Sequence, residues 1–411
     1  MLHPILRRIV KQNSIVILAP PPILSETIYH STLPREISLK LITILALALS
    51  STAVFPSVFS PEAEFENKAF SYIYIDQKLS PHLGLNSLTP DPEVKLVNGL
   101  STRFVRPAAR ENLNYLKLSR VPCYKKGARP ISYSIEGAKK ITVKLPPCKW
   151  DASSPLRFSF IADTQEFPER AKNFSDKLAK NDSHFFIHAG DHVQTGKKES
   201  HWQKYFLALE SARKDRLMLS AVGNHEYRYG KKARALWQKY FGKNFRNQNI
   251  VLKIGDAVFI MFNSNFADDP ALVLGQLRWL NNALKTPVKW KFVIMHHPPY
   301  SRTPSHSKFY WKKEFLALRE HYIPLFERYK VDAVLSGHTH IYERSVKKGI
   351  QYVTAGAAGG KMGIMGGKNK YSVIAGKWRT LTHFTLTPNK LTMLTEDLDG
   401  HRLDTIEINK K

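Results

Sequence analysis

Five short groups of metal-type ligands occur between residues 163 and 340, each directly after an apolar run. They are Asp163, Asp191, Asn224-His225, His296-His297 and His338-Thr-His340. Carboxylate oxygens and imidazole nitrogens are ligands that Zn, Mn and Fe accept in proteins. Two such ions, about 3.5–4 Å apart, can clamp the in-line displacement at a phosphate ester.

A dinuclear centre of this kind needs three chemical roles. One carboxylate must bridge the ions, and a metal-bound water must lose a proton near neutral pH to become the hydroxide nucleophile. A separate acid must protonate the leaving alkoxide, and histidine suits this role. The residue types therefore predict a metal-dependent hydrolase of phosphate esters.

Strands are the elements that would position these ligands. Apolar runs at 157–162, 184–189, 217–222, 290–295 and 331–335 each precede one ligand group. Helical spacing occurs between them, at 166–181, 198–213, 275–284 and 311–329. Because ligands in open α/β sheets gather at the carboxyl ends of strands, we expect the five groups to converge on one crevice.

The order of elements predicts the fold class. Strands alternating with helices are followed by an all-β stretch at 350–355, 381–386, 391–396 and 403–408, and a hairpin is predicted at 251–263. We therefore expect an α/β (α+β) chain in which two packed mixed β-sheets are flanked by helices. The predicted catalytic domain covers residues 153–411. Residues 61–152 would form a small β module, with a strand pair at 130–135 and 140–145.

The composition of the N-terminal region predicts a targeting signal. Residues 1–60 hold an apolar run at 41–55 that follows Lys40. This run predicts the apolar core of a signal peptide or a short membrane anchor, and therefore an exported protein, periplasmic or secreted; a buried helix is the alternative. Cys123 and Cys148 would form a disulfide in an exported protein, or remain two thiols.

The chain is strongly basic, with a formal net charge of +28. Such a surface attracts anions, which include phosphate-ester substrates and negatively charged cell surfaces. The sequence has no basic helix and no pattern of stacking aromatic residues that would favour a specific nucleic-acid site. Charge alone therefore indicates anionic partners without identifying one.

The motifs resemble the calcineurin-like metallophosphoesterase superfamily and, within it, the purple acid phosphatases, over roughly residues 158–408. The matching segments are Ile-Ala-Asp163, Gly190-Asp191, Gly223-Asn-His-Glu226, Val293-Ile-Met-His296 and Gly337-His-Thr-His-Ile-Tyr-Glu-Arg344. The resemblance implies a sandwich of two sheets between helical layers, and two bound metal ions, each Mn, Zn or Fe.

The resemblance also implies a role for each matching residue. Asp191 would bridge the ions, Asp163 and His340 would complete the first site, and Asn224, His296 and His338 would complete the second. His225 would protonate the leaving group or contact a phosphate oxygen, beside Asn224. His306 would contact the substrate, while His297 and His192 are interpreted as packing residues around the centre.

Two positions depart from the family pattern. Gln194 stands where purple acid phosphatases have the tyrosine that gives their colour, and Gln165 stands where many other members have a histidine. Gln165 would coordinate the first metal through its amide oxygen or hold a water on it. We therefore expect a weaker or differently selective first site and no purple absorption band.

The sequence leaves the substrate open. A phosphomonoesterase of the acid-phosphatase type is the first hypothesis. A phosphodiesterase acting on cyclic nucleotides, nucleic acid or phospholipid headgroups would use the same ligands. A non-catalytic metal-binding module is a third reading, but it gives no reason for an acid such as His225 beside the ligands.

Overall fold

The computed structural model describes residues 139–241, 249–266, 269–304 and 311–411, together with Cys123, Tyr124 and seven strands between Phe70 and Ile135. The predicted targeting region 1–60 and His306 lie outside the described residues. Residues 59–411 form one compact unit, which contains every described element. Within the described part of the chain, no helix has the length and apolarity needed to cross a membrane.

The described strands, in chain order, are β1 (Phe70–Ile75), β2 (Pro81–Asn86), β3 (Val94–Asn98), β4 (Ser101–Val105), β5 (Ala108–Arg110), β6 (Leu113–Lys117), β7 (Ile131–Ile135), β8 (Ile141–Thr142), β9 (Leu156–Ile161), β10 (Phe185–His188), β11 (Leu217–Ser220), β12 (Ile250–Ile254), β13 (Ala257–Met261), β14 (Trp290–Ile294), β15 (Ala333–Ser336), β16 (Tyr342–Lys347), β17 (Ile350–Ala355), β18 (Ser372–Gly376), β19 (Thr380–Leu386), β20 (Lys390–Asp397) and β21 (Arg402–Asn409). The described α-helices are α1 (Pro168–Lys180), α2 (Glu199–Ala208), α3 (Glu210–Arg213), α4 (Asn224–Tyr227), α5 (Gly230–Phe241), α6 (Pro270–Leu284), α7 (Trp311–His321) and α8 (Ile323–Arg328).

Two large mixed sheets form the centre of the molecule. The first has the described strand order β21-β20-β19-β9-β10-β11-β1-β2-β6-β5, and the second has the order β12-β13-β14-β15-β17-β16-β18. In the first sheet β9, β10 and β11 are parallel, and in the second β13, β14, β15 and β17 are parallel. Each sheet therefore presents several strand carboxyl ends at one edge.

The two sheets pack face to face through apolar side chains. The ring centroid of Phe158 in β9 lies 5.2 Å from those of Phe259 in β13 and Phe292 in β14, in edge-to-face contacts. These side chains are fully buried, and each such burial stabilises the fold by roughly 1.5–3 kcal/mol. Separate clusters cover the outer faces, with α1, α2 and α5 on the first sheet and α6, α7 and α8 on the second. The predicted fold class is confirmed.

The N-terminal segment contributes to the large sheet as well as to a sheet of its own. β1 pairs in parallel with β11, and β2, β6 and β5 extend the edge beyond it. β3, β4, β7 and β8 form the separate four-stranded sheet, in which β7 and β8 are the predicted strand pair. Cys123 and Cys148 form a disulfide, which settles the alternative that the sequence left open. The domain boundary near residue 152 stays a prediction.

Three predicted helices have other bounds in the structure. The helix predicted at 198–213 is divided at Leu209 into α2 and α3. The helix predicted at 275–284 begins at Pro270, because the Asp269 side chain caps its first turn by accepting the Ala271 N–H at 3.0 Å. The single helix predicted at 311–329 is broken at Tyr322 into α7 and α8. Pro324, in the first turn of α8, has no N–H to continue the hydrogen-bond ladder of α7.

Candidate metal centre

The ligand groups follow the carboxyl ends of parallel strands in both sheets. Asp163, Asp191 and Asn224 follow β9, β10 and β11, while His296 and His338 follow β14 and β15. The ligand atoms of Asp163, Asp191 and His296 lie within 4.8 Å of one another, although their residues come from both sheets. The site therefore lies where the two sheet edges meet.

The backbone at the site adopts an unfavourable conformation at several ligands. Asp163, Asp191, His338 and His340 have positive φ angles of 58°, 56°, 73° and 51°. Side chains other than glycine rarely occupy this region, at a cost of order 1–3 kcal/mol each. The positive φ angles turn the chain sharply at the strand ends, so that the ligand side chains lie in the same region.

Two glycines allow the loops to approach the carboxylates. A Cβ atom at Gly223 would lie 2.1 Å from Asp191 Oδ1, and one at Gly337 would lie 2.2 Å from Asp163 Oδ2. No side chain can occupy either position without moving a carboxylate. The glycine of each motif is therefore required by the packing of one ligand loop on another.

One group of ligands surrounds Asp191 and His296. His296 Nε2 lies 3.1 Å from Asp191 Oδ2, 3.1 Å from Asn224 Oδ1 and 3.1 Å from His338 Nδ1. All four residues are at least 96% buried. These are the side chains that the resemblance assigns to the second metal site.

A second group lies around Asp163 and His340. His340 Nε2 is 3.3 Å from Asp163 Oδ1 and 2.9 Å from Gln165 Nε2. The Gln165 side chain also reaches Asp191 Oδ2 at 3.5 Å. Its amide oxygen Oε1 is buried and has no hydrogen-bond partner in the described structure. The amide nitrogen thus faces the ligands that the resemblance assigns to the first metal site, and the unpaired oxygen would replace it there if the amide turned over.

The hydrogen bonds of the two outer nitrogens set the tautomers of His296 and His340. Nδ1 of His296 donates to Ala189 O at 2.8 Å, and Nδ1 of His340 donates to Lys361 O at 2.5 Å. In each neutral ring, Nε2 therefore carries the lone pair and lies near a carboxylate. A second hydrogen bond of this kind is the usual way in which proteins orient a metal-ligating histidine.

The electrostatics of the site favour bound positive charge. Burial alone would lower the pKa of His296, but the Asp191 carboxylate raises it to about 9. Burial opposes a similar rise at His340, where Asp163 raises the pKa to about 9. Burial would raise the pKa of Asp191, but His296 and His225 hold it well below its usual range. The two buried carboxylates thus attract positive charge, which is supplied by protons on His296 and His340 in the metal-free protein and would be supplied by metal ions when these are bound.

His225 stands at the edge of this site, about a quarter exposed on its side chain. Its Nδ1 donates to Gln194 O at 2.7 Å, and its Nε2 lies 3.8 Å from Asp191 Oδ2. Nε2 therefore faces the same space as the ligands. The backbone N–H of His225 donates to Asp191 Oδ1 at 2.9 Å, which ties the two loops together.

The remaining histidines occupy different surroundings. Nδ1 of His297 lies 2.8 Å from Ser264 Oγ, and His297 Nε2 lies 3.6 Å from Glu314 Oε2. The His192 ring stacks on His188 with centroids 4.0 Å apart and hydrogen-bonds Ser220. His297 could join a ligand group with His296 and His338 by distance. Its hydrogen bond to Ser264 nevertheless turns one nitrogen away from that group.

Glu226 is a site residue to which the sequence reasoning gave no role. Its side chain is fully buried, and its two oxygens accept backbone N–H groups from Asp191, His192, Val193 and Gly223 at 3.0, 2.8, 3.2 and 2.9 Å. The carboxylate thus joins the loop after β10 to the loop after β11. A Glu three residues after the N-cap residue, here Gly223, is a capping signal that could have identified it.

The donor set fits metal ions. It combines buried carboxylates, imidazole nitrogens with oriented lone pairs and amide oxygens from Asn224 and Gln165, all of which Zn, Mn and Fe accept. A bound cation would neutralise the buried negative charge, and it would give the unpaired oxygen of Gln165 a partner once the amide turned over.

The family model of calcineurin-like phosphoesterases matches residues 156–342, the segment that contains all of these ligands. Over this segment, which is 187 of the 411 residues, the chain is similar to calcineurin-like phosphoesterases. The resemblance read from the motifs is therefore confirmed at the level of the family.

Sequence relatives agree with this assignment. This chain is 25% identical over 226 residues to the probable purple acid phosphatase 20 of Arabidopsis thaliana, covering 50% of this chain and 49% of the relative. It is 32% identical over 118 residues to the serine/threonine-protein phosphatase CPPED1 of Danio rerio, covering 27% of this chain and 38% of the relative. The chain thus spans half or less of the length of these curated relatives.

A solved structure shows the same fold. The purple acid phosphatase PPD1 from seeds of yellow lupin, Lupinus luteus, aligns with a TM-score of 0.67 and 15% identity, covering 82% of this chain and 74% of that one. At this identity the likeness establishes the fold alone. The αββα arrangement of this chain is therefore shared with a purple acid phosphatase.

Proposed function

We propose that this chain is a metal-dependent phosphomonoesterase of the acid-phosphatase type. The observation that carries the proposal is the meeting of Asp163, Asp191 and His296 within 4.8 Å at the junction of two sheet edges, with His225 beside them. The family match supports a phosphoesterase, and the preference for monoesters is our proposal.

The ligands divide into two sites in this proposal. Asp163, Gln165 and His340 would hold the first ion, Asn224, His296 and His338 would hold the second, and Asp191 would contribute to both. Two bound Mn, Zn or Fe ions would supply Lewis-acid catalysis, which neutralises phosphate charge and lowers the pKa of a water. Burial of the ligands excludes bulk water and strengthens every electrostatic interaction in the site.

His225 is proposed to provide the proton for the leaving group. The carbonyl of Gln194 holds the Nδ1–H, so the ring keeps one orientation and directs Nε2 to the site. In the imidazolium form Nε2–H can donate to the oxygen of the departing alcohol. A positioned acid of this kind typically contributes about 10²–10⁴-fold to the rate. Asn224 and His225 are also the side chains that would contact the bound phosphate.

Export of the protein is part of the proposal. The Cys123–Cys148 disulfide supports it, because disulfides persist mainly in oxidising compartments. The net charge of +28 supports the capture of anionic substrates or association with an anionic surface. Residues 1–60 are proposed to direct export, with residues 153–411 as the catalytic domain.

The first test measures turnover of the metal-stripped protein with Mn, Zn, Fe or no metal added back. The substrates are p-nitrophenyl phosphate and bis(p-nitrophenyl) phosphate, which have the same leaving group. We expect metal-dependent hydrolysis, at least about tenfold faster for the monoester. Faster hydrolysis of the diester would replace the monoesterase with a phosphodiesterase.

A variant tests the proton donor. His225→Ala should lower kcat by about 10²-fold for an ester with a poorly acidic alcohol, while the metal content stays unchanged. The loss should be smaller for p-nitrophenyl phosphate, because its leaving group needs little protonation. Equal turnover of wild type and His225→Ala on both esters would remove His225 from this role.

A further inference from the structure

The cleft beside the metal-type ligands has a largely apolar wall. It has a volume of about 340 Å³, and Asp191, His225 and His340 line one part of it. The side chains that line the rest are mainly apolar, namely Pro304, Phe315, Met362 and Ile364. A molecule that binds to the metal-type ligands through one group would therefore have the rest of its atoms next to an apolar surface.

Exposed apolar side chains extend this surface. Ile364 is 57% exposed in the cleft, and Leu316 is 41% exposed in a neighbouring cavity of about 400 Å³. The two cavities share Thr303, Pro304 and Phe315 in their linings, so they lie side by side, and together they are called the groove below. Contiguous exposed apolar residues beside a site mark a ligand-binding surface more often than scattered ones do.

The polar groups along the groove are few and mostly cationic. Among its described lining residues outside the ligands, the charged ones are Lys361, Arg319 and Lys368, and none has a carboxylate or an amide side chain. The other polar side chains are hydroxyls, including those of Thr303 and Thr339. Such a wall lacks the amide and carboxylate groups that would bind the hydroxyls of a sugar or the edges of a base.

We infer that the preferred substrate is a phosphomonoester of an apolar alcohol, aryl or alkyl, whose hydrocarbon part lies in this groove. The inference rests on the proposed phosphomonoesterase function. Hydrolysis breaks the bond between phosphorus and the alcohol oxygen, and water provides the new oxygen on phosphorus. The alcohol oxygen receives its proton from His225, and the proton released by the attacking water restores the balance.

Two pairs of esters test the inference, each matched in leaving-group chemistry and different in apolar size. One pair is 2-naphthyl and phenyl phosphate, and the other is dodecyl and ethyl phosphate, with dodecyl phosphate below its micelle concentration. We expect kcat/KM of the metal-loaded protein to favour the larger ester about tenfold in at least one pair. A preference in the first pair alone identifies an aryl substrate, and one in the second pair alone identifies an alkyl substrate.

The variant Ile364→Gln should cut that preference about fivefold, because kcat/KM should fall more for 2-naphthyl and dodecyl phosphate than for phenyl and ethyl phosphate. Leu274→Gln is the matched control, because Leu274 is 62% exposed on α6 and lines neither cavity. Equal kcat/KM within both pairs, or an equal loss on all four esters in Ile364→Gln, would overturn the inference.

A binding measurement separates this inference from the proposed function. If no ester is hydrolysed with any metal, the proposed function fails, and calorimetric titration of dodecyl phosphate then decides about the groove. Binding that is about fivefold weaker in Ile364→Gln than in Leu274→Gln supports an apolar groove beside an anion site. Equal binding in the two variants, or none in wild type, would show that the groove does not take the hydrocarbon.

Discussion

Glu226 offers the most direct test of how the site is held in place. Oε1 accepts the N–H groups of His192 and Val193, while Oε2 accepts those of Asp191 and Gly223. In Glu226→Gln, one oxygen becomes an NH₂ group that can accept neither of its two N–H partners. Whichever way the amide turns, two buried backbone donors lose their acceptor.

The magnitude follows from that count. Leaving a buried donor unsatisfied costs about 1–3 kcal/mol. Two such donors give an expected loss of roughly 2–6 kcal/mol in the free energy of unfolding. The loop that carries Asp191 would also be less firmly held, so we expect metal affinity to fall by about 10-fold or more, as it does for other residues that orient ligands.

Urea unfolding and metal analysis provide the assay. Burial and the Asp191 carboxylate raise the pKa of Glu226 to about 7, so the measurements are made at pH 8.5, where the side chain is ionised. The control is Glu320→Gln, at an exposed glutamate on α7. A loss below about 1 kcal/mol in Glu226→Gln, with metal content equal to that of the control, would refute the reasoning.

Three further predictions concern protons, metal selectivity and the disulfide. The pKa values of His296 and His340 are about 9, so a metal ion must displace a proton from each ring below pH 9. Between pH 6.5 and 9 the apparent metal affinity should therefore rise about tenfold per pH unit for each proton displaced. A metal affinity that calorimetry finds independent of pH would contradict this. These raised values also stabilise the metal-free fold below pH 6.5, and thermal unfolding should show that contribution being lost as pH rises through 9. Gln165→Leu should lose the metal ion of the first site and keep that of the second, whereas Gln165→His should keep both, as judged by the metal-to-protein ratio. An unchanged ratio in Gln165→Leu would exclude Gln165 as a ligand. Replacing Cys123 and Cys148 by Ser should cost about 3 kcal/mol in urea unfolding, because the bridge spans 25 residues of sequence, and a loss near zero would contradict that estimate.

The sequence by itself determined the kind of site and the elements that carry it. Apolar runs ending in Asp163, Asp191 and His296 identify strands whose carboxyl ends hold the ligands, because the run and the ligand are adjacent in the chain. The fold class followed from the order of these strands and the helices between them. Local signals were sufficient for both conclusions, since a strand and its terminal ligand lie within about ten residues of each other in sequence.

Helix bounds depended on weaker local signals and were predicted less well. Asp269-Pro270 is a capping pair that extends α6 toward its N-terminus, and Pro324 is a break that divides α7 from α8. Both signals are present in the sequence. They compete with hydrophobic periodicity, which continues across the boundary and favours a different length.

Only the tertiary structure decided how distant segments meet. It joined Cys123 to Cys148 and placed β1 beside β11. It also let the Glu226 carboxylate accept hydrogen bonds from four backbone N–H groups in two loops. It also brought Phe315 and Ile364, 49 residues apart in the numbering, to one groove beside the ligands. Such contacts depend on the packing of two sheets against each other and on backbone N–H groups, which have no side-chain signature in the sequence.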